Sequence, residues 1–322
     1  MRIPLTLVVA MIGTVATACN IPVFRYALER WQPDACEIIV FHDEEVSTSD
    51  AARMRRLQND LDRSGANASL VHVDTSGAMS AEHRDLWKDL NGNKQPTLPY
   101  LLARTTIGRS QIVNHWHQTL SESSSRDLLE SPARAELAKR LMAGHSVVWV
   151  MVTSPDAERT QAAKKLLENS FTHLEQTIRL PEGIGLPGSE LYADIPLVVR
   201  FSLLEIAHDD PAESFLTSLL TGIRRQAFLD GEPLLVPVFG RGRALEVIPA
   251  GDFSAALMED LTLFLSGACS CQVKEQNPGF DLLISADWDT ALFGDEENRP
   301  PDRTSEEGKN REPVLLTIPP GR

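Results

Sequence analysis

A proline set directly ahead of a strand, with a hairpin following at once, is the feature that most narrows what this chain can fold into. The stretch Leu98-Pro99-Tyr100-Leu101-Leu102 begins such a strand, Gly108 turns the chain, and Gln111 to Trp116 returns. Before it, Glu37 to Phe41 (EIIVF) reads as a short buried strand. Ala51, Met54, Leu57 and Leu61 recur at helical spacing over 50–63, Ala68 to Val73 is a second strand, and 80–90 a second helix. Ser131 and Pro132 cap a closing helix that carries Leu137 and Leu141. The order is βαβαββα.

The same order repeats. Val147 to Val152 (VVWVMV) is a strand, and Ser154-Pro155 open a helix with Ala162, Leu166 and Phe171 along it. A Gly/Pro-rich insertion precedes a strand at Leu197 to Leu203, and a helix covers 211–221. Leu234 to Phe239 places Pro237 in a third strand, Gly240-Arg241-Gly242-Arg243 turns, and Ala244 to Ile248 returns. Asp252 caps a final helix with Phe253, Leu257, Leu261, Phe264 and Leu265, stopped by Gly267 in the left-handed C′ role. A doubly wound enzyme is the alternative, yet no G-x-G-x-x-G or P-loop opens a helix after a strand.

This order, with the proline before the third strand and the hairpin after it, resembles the thioredoxin-like fold. The resemblance covers about residues 36–144 and implies a cis proline beside the family's active corner, where Thr97-Leu98-Pro99 stands here. The family's C-x-x-C would sit between the first strand and first helix. This chain has HDEEVSTSD there, and TSPDA at the matching place of the second half. Dithiol exchange is therefore not expected at either corner. The resemblance implies instead a shallow peptide-holding groove, with Pro99 and Tyr100 as its apolar edge and His42, Asp43, Glu44 and Glu45 as its polar one. Tyr100 is the expected anchor. Arg241 and Arg243, on the second hairpin tip, are candidates to grip an anion or orient encounter. The other reading is a turn that needs glycine, with arginines for solubility.

The opening MRIPLTLVVAMIGTVATAC has a charged start, an apolar run and Ala16-Thr17-Ala18 before Cys19. These are the parts of a secretory signal peptide over 1–18. General signal peptidase would cut before Cys19; a cysteine after the cut also resembles the lipobox of bacterial lipoproteins, although Ala16 replaces the preferred leucine. Lipidation at Cys19 is preferred over simple secretion. Either route leads to an oxidising envelope compartment. Residues 19–35 form a helix, with Asn20 as cap and Phe24, Ala27, Leu28 and Trp31 on one face, expected to pack on the domain that follows. Residues 294–322, rich in proline and mixed charge, are expected to be a disordered tail. The net charge of −14 opposes binding to nucleic acid or anionic lipid.

Cys269 and Cys271 stand one residue apart beyond the last helix. Three readings remain: a strained vicinal-type disulfide, soft ligands for copper or half of a zinc site, or ordinary structure, with one bridged to Cys36 or both in a core. The structural reading is the default. His115 and His117 share a strand face by spacing and are weaker metal candidates, and Asp287 and Asp289 read as a solvated strand end. No Ser/His/Asp arrangement is legible.

The sequence thus describes an α/β protein: signal peptide 1–18, N-terminal helix 19–35, thioredoxin-like units over 36–144 and 145–293, and tail 294–322. The expected function is a non-redox, cofactor-free binding or assembly module. Its partner would be a protein or peptide of the envelope, with membrane contact only through a lipid on Cys19. The alternative is a thiol-redox or copper-handling protein using Cys269 and Cys271, and a hydrolase or transferase ranks third.

Overall fold

The computed structural model of the chain describes residues 20–92, 96–269, 273–294 and 298–301. The expected signal peptide, Cys19, Cys271 and nearly all of the expected tail lie outside these residues. No helix among the described residues is long and apolar enough to cross a membrane.

The chain is α/β with two mixed sheets. A short helix, α1 (Val23–Arg30), precedes the first sheet, which is built from β1 (Cys36–His42), β2 (Ala68–Asp74), β3 (Tyr100–Ile107) and β4 (Gln111–Thr119) in the order β2-β1-β3-β4. β1 runs parallel to β2 and antiparallel to β3. Its near-continuous apolar run reflects burial on both faces. Ile38 and Val40 face one cluster with Leu57, Leu61 and Leu101, while Ile39 and Phe41 face another with Val73 and Leu102. The connecting helices are α2 (Thr48–Ser64) and α3 (Ala81–Asn91). Each starts where a serine accepts from a backbone amide, Ser47 from Asp50 and Ser80 from His83. A helix not legible in SESSSRDLL, α4 (Glu122–Leu129), follows β4, and Ser131 and Pro132 then open α5 (Pro132–Met142) as expected.

The second sheet contains β5 (Val147–Val152), β6 (Phe201–Ile206), β7 (Leu234–Phe239), β8 (Arg243–Ala244), β9 (Ile248–Pro249) and β10 (Phe280–Asp281). The order is β10-β8-β7-β5-β6, with β9 on β7. Its helices are α6 (Ala157–Thr177), α7 (Ser214–Ile223), the short α8 (Arg225–Leu229), α9 (Ala255–Ser266) and α10 (Trp288–Phe293). β6 starts four residues later than expected, and the return after the arginine turn is split into two short pieces. The cap of α9 is Ser254, not Asp252, and Gly267 ends it with φ −72°, outside the left-handed region.

The halves interlock more closely than a tandem reading implies. α5, read as the closing helix of the first unit, packs Leu137, Ala138 and Leu141 with Val148, Val150 and Val236 of the second sheet. In return, Phe215 of α7 and Leu283 enter the first sheet's core beside Cys36 and Trp116. Residues 282–284 alternate between the two cores, Leu282 and Ile284 to one and Leu283 to the other. Asn67 fixes this strip: its Nδ2 donates to Leu282 O, and its Oδ1 accepts from Ile284 N.

α1 corrects two expectations. Asn20 does not cap it; its amide donates to Ser189 Oγ at 2.9 Å, and Pro22 takes the N-cap position without a side-chain bond. The helix also packs on the second half rather than on the unit directly after it. Its two apolar faces meet β7 and α9, and Arg25 and Glu29 are buried with it as an ion pair of 2.8 Å. Glu29 then accepts from the amides of Tyr192 and Ala193, which is how a buried carboxylate keeps its lone pairs satisfied.

Candidate functional site

β1 ends at His42, and the pair Phe41↔Tyr100 is the last rung it shares with β3. One step beyond that rung His42 stands opposite Pro99, whose peptide bond with Leu98 is cis. Pro99 is buried, and its carbonyl oxygen accepts from Leu120 N at 2.8 Å, so the loop ahead of β3 is tied to the far end of β4. Thus Pro99, Tyr100 and His42, proposed as neighbours by resemblance, do come together.

Tyr100 is held on three sides. Its hydroxyl bonds His117 Nδ1 at 2.7 Å, its ring lies 5.9 Å from the His117 ring, and Trp87 of α3 meets it edge-on at 6.3 Å. Trp87 itself stacks on Phe41 at 4.9 Å. Partial burial pushes the Tyr100 phenol above its ordinary value, so it stays a neutral hydrogen-bonding group at neutral pH. No residue of α3 is fully buried, and Leu86, Trp87, Leu90 and Leu98 are only partly covered. The result is an apolar shelf left half open along one side of the sheet.

Across from the shelf runs the acidic loop. His42 Nδ1 lies 2.8 Å from Asp43 O, and Asp43, Glu44 and Glu45 are exposed. Hydroxyls hold this loop in place: Thr75 Oγ1 donates to His42 O and to Asp43 Oδ1, and Ser76 Oγ accepts from Glu44 N. Ser76 also donates to Asp74, which holds that carboxyl below its usual range. Trp87, Thr75 and Ser76 were not singled out from sequence, and His117 was singled out only as a weak metal candidate. Only the helical spacing of Leu86, Trp87 and Leu90 ahead of the proline could have signalled the shelf.

Arg241 and Arg243 are placed otherwise than expected. Both are buried, not presented at a hairpin tip. Arg241 donates to the carbonyls of Leu28 and Glu29 at the end of α1 and to Gln32 Oε1, and pairs with Asp289 at 2.7 Å. Arg243 pairs with Asp281 at 3.2 Å and donates to the carbonyls of Asn277, Pro278 and Gly279. The glycines between them explain the burial. Gly240 and Gly242 have φ of 58° and 90°, and a Cβ on Gly240 would lie 2.7 Å from Ala27 Cβ. The turn is glycine-rich because α1 and Ile284 press directly against it. Asp289, likewise, is not a solvated strand end but the partner of Arg241 at the start of α10.

The thiols also sit away from the site. Cys36 opens β1, about 20 Å of strand from His42. Its sulfur is buried, donates to Arg104 O at 3.5 Å and accepts from Thr105 Oγ1 at 3.7 Å. Burial pushes this thiol up to about 11, which removes thiolate reactivity near neutral pH. Cys269 is 1% exposed within the core around α1, and no disulfide joins it to Cys36. Cys271, the other half of the C-x-C pair, lies outside the described residues. His115 and His117 do not share a face. The ladder shifts register between Ala103 and Arg104, leaving His115 as an extra residue that turns toward Thr105 and Phe215 while His117 faces Tyr100. Among the described residues, no three His, Cys, Asp or Glu side chains converge as metal ligands.

No protein-family model matches this chain. No curated protein matches it either. Among solved structures it is similar to the crystal structure of ERdj5 form I, at 10% sequence identity and a TM-score of 0.21. That match covers 72% of this chain and 27% of the other, and a similarity at this level carries no argument about fold or function.

Proposed function

We propose that this chain is an exported, envelope-located, non-redox binding or assembly module built from two thioredoxin-like units, and that the first unit's groove holds an extended peptide. The observation that carries the reading is the half-open shelf of Trp87, Leu98 and Tyr100 beside cis-Pro99, facing a loop that offers carboxylates and no thiol. The sheet order β2-β1-β3-β4 and its counterpart around β5 support the thioredoxin-like assignment. α5 and residues 281–285 then serve both units. The export and the lipid on Cys19 rest on the opening residues 1–19.

An extended guest would run beside Pro96 to Leu98, set an apolar side chain on Tyr100 and Trp87, and turn basic residues toward Asp43, Glu44 and Glu45. Such charge complementarity mainly speeds and orients encounter, while the aromatic shelf supplies the affinity. The test is calorimetry of the full chain with extended basic peptides selected on a random peptide array. Tyr100→Ala should weaken binding by roughly 1–3 kcal/mol, or about 5- to 150-fold. Ile112→Ala, an exposed position on the same sheet, should leave affinity unchanged. Equal affinity for wild type and Tyr100→Ala would remove the groove from the account.

A further inference from the structure

The two sheets end alike, each on a strand parallel to its neighbour: β2 beside β1, and β6 beside β5. In such a pair alternate residues turn both backbone groups toward the neighbour, and the residues between turn theirs away. At β6, Arg200 O accepts from Ser146 N and Ile206 O from Thr153 N, so Phe201, Leu203 and Glu205 face outward. Side chains close that edge. Phe201 N donates to Glu175 Oε1 at 2.7 Å, and Leu203 O accepts from Arg140 Nη1 at 2.7 Å. At the opposite ends, β4 has Phe215 of α7 against His115 and Trp116, and β10 is two residues long.

β2 is left open. Asn67 O accepts from Cys36 N and Thr75 N donates to His42 O, so Leu70, His72 and Asp74 face outward. Among the described residues, nothing bonds the outward amides and carbonyls of Leu70 and His72. The strand ASLVHVD holds no proline, lysine or arginine, and its register with β1 is unbroken over seven pairs. A regular edge without such guards is a template for another strand. Beside it lies a groove of about 510 Å³ lined by Val46, Ala51, Met54, Arg55, Gln58 and His72.

The edge is complementary to itself. Set antiparallel about Val71, Leu70 pairs with the second copy's His72, and Asp74 with the second copy's Ala68. Val71 then meets the second copy's Val71 on the axis, and each Leu70 enters the groove beside the opposite His72. The helices follow the same symmetry. α2 runs back against β2 and joins it through residues 65–67. Val71 lies about 10 Å along β2 from Ala68, equal to about seven residues back along α2 from Gly65, close to Gln58. An axis there brings Arg55, one turn before Gln58, to the second copy's Asp62, one turn after it. Both are exposed, and among the described residues Arg55 meets the Ala51 carbonyl but no carboxylate. Hydrogen bonds, an apolar pair and charge thus agree on one register.

We propose that two copies of this chain pair through β2 into one continuous eight-stranded sheet, with α2 beside α2 across the axis. The shelf at Tyr100 belongs to β3, two strands away, so each copy keeps it open. The pairing does not depend on what the shelf holds.

The test is sedimentation equilibrium of the full chain from about 1 to 100 μM. Wild type should sediment as a dimer at the upper end. His72→Pro removes an outward amide that β1 does not use, and should weaken association at least about tenfold. Arg55→Glu, on an exposed helix face, should weaken it about tenfold, and adding Asp62→Arg should restore it by re-pairing the two copies. Val71→Cys should give a disulfide-linked dimer above the wild-type level under mild oxidation. A non-hydrogen-bonded antiparallel pair sets its Cα atoms about 4.5 Å apart, within disulfide reach. Ser69→Cys, which faces Val73 of the second copy, should not. A chain that stays monomeric throughout overturns the proposal, and so does a dimer indifferent to all of these changes. A monomer whose Leu70 and His72 amides resist hydrogen exchange would mean that the same chain covers the edge, which also overturns it.

Discussion

Arg241→Ala is expected to destabilise the protein by about 3–5 kcal/mol, the cost of breaking a buried charge pair by removing one partner. The guanidinium is only 4% exposed and joins three elements at once: the end of α1, residue Gln32 and Asp289 at the start of α10. Burial pulls its pKa down and Asp289 pulls it back up, yet it remains charged at any ordinary pH. Without it the last carbonyls of α1 lose their donor, and Asp289 loses the nearer of its two arginine partners. Urea unfolding should show a lower midpoint for Arg241→Ala, a smaller loss for Arg241→Lys, and a change within about 0.5 kcal/mol for the exposed Arg53→Ala. Had Arg241 been the surface gripping group suggested by its glycine-flanked turn, its removal would leave the midpoint where it is.

A second large effect is expected from acid. His115 keeps some solvent exposure, but its Nδ1 is sealed off without a hydrogen-bond partner. The groups around it are Thr105, Phe215 and Arg134, with the Cys36 thiol behind Thr105. Burial, reinforced by the Arg134 charge, pushes the imidazole down from 6.5 to about 3. The unfolded chain therefore takes up this proton near pH 6.5 while the folded chain refuses it until about pH 3. Between those values acid favours unfolding, and stability present above pH 6.5 is lost progressively as pH falls. The residue's exposed rim trims the full shift, leaving a loss on the order of 3 kcal/mol. Glu82 and Glu136, held low by Arg104 and Arg140, lose their contributions only below their ordinary value of 4.5. His72 and His145 are also lowered by burial, so the assignment needs a variant. Subtracting the profile of His115→Gln from that of wild type should isolate a difference that opens between pH 6.5 and 4.5. Parallel profiles would contradict the burial of His115 at the junction of the halves.

Much of the backbone was legible because local chemistry and tertiary context agree. The short apolar runs EIIVF and VVWVMV read as buried strands and are strands buried on both faces, and Ser131 ahead of Pro132 stands where α5 begins. The site's outline was legible through Pro99 alone. What escaped was long-range. Nothing in FRYALERWQ reveals that Arg25 and Glu29 will be buried together, since their partners Ala193 and Tyr192 lie more than 160 residues away. The glycines of GRGR were seen as turn residues, but the helix packed against them was not. The bulge at His115 resets the strand alternation, so spacing assigned the two histidines to one face when the ladder separates them. α4 was missed because SESSSRDLL offers little apolar period; among its described side chains Leu128 is the one fully buried apolar residue, and Ser121 with Ser124 supplies a reciprocal cap.

The central claim is that the shelf beside Pro99 is where a peptide lies. Its most direct test is to follow the backbone amides and the Trp87 indole of the full chain by NMR while adding the tightest extended peptide from the array. The account predicts that shifts concentrate on His42 to Ser47, on Thr97 to Tyr100 and on the Trp87 indole. Shifts gathered instead along the trench between α2 and α4 lined by Arg53, Arg56 and Arg126, with Tyr100 and Trp87 unmoved, would contradict it.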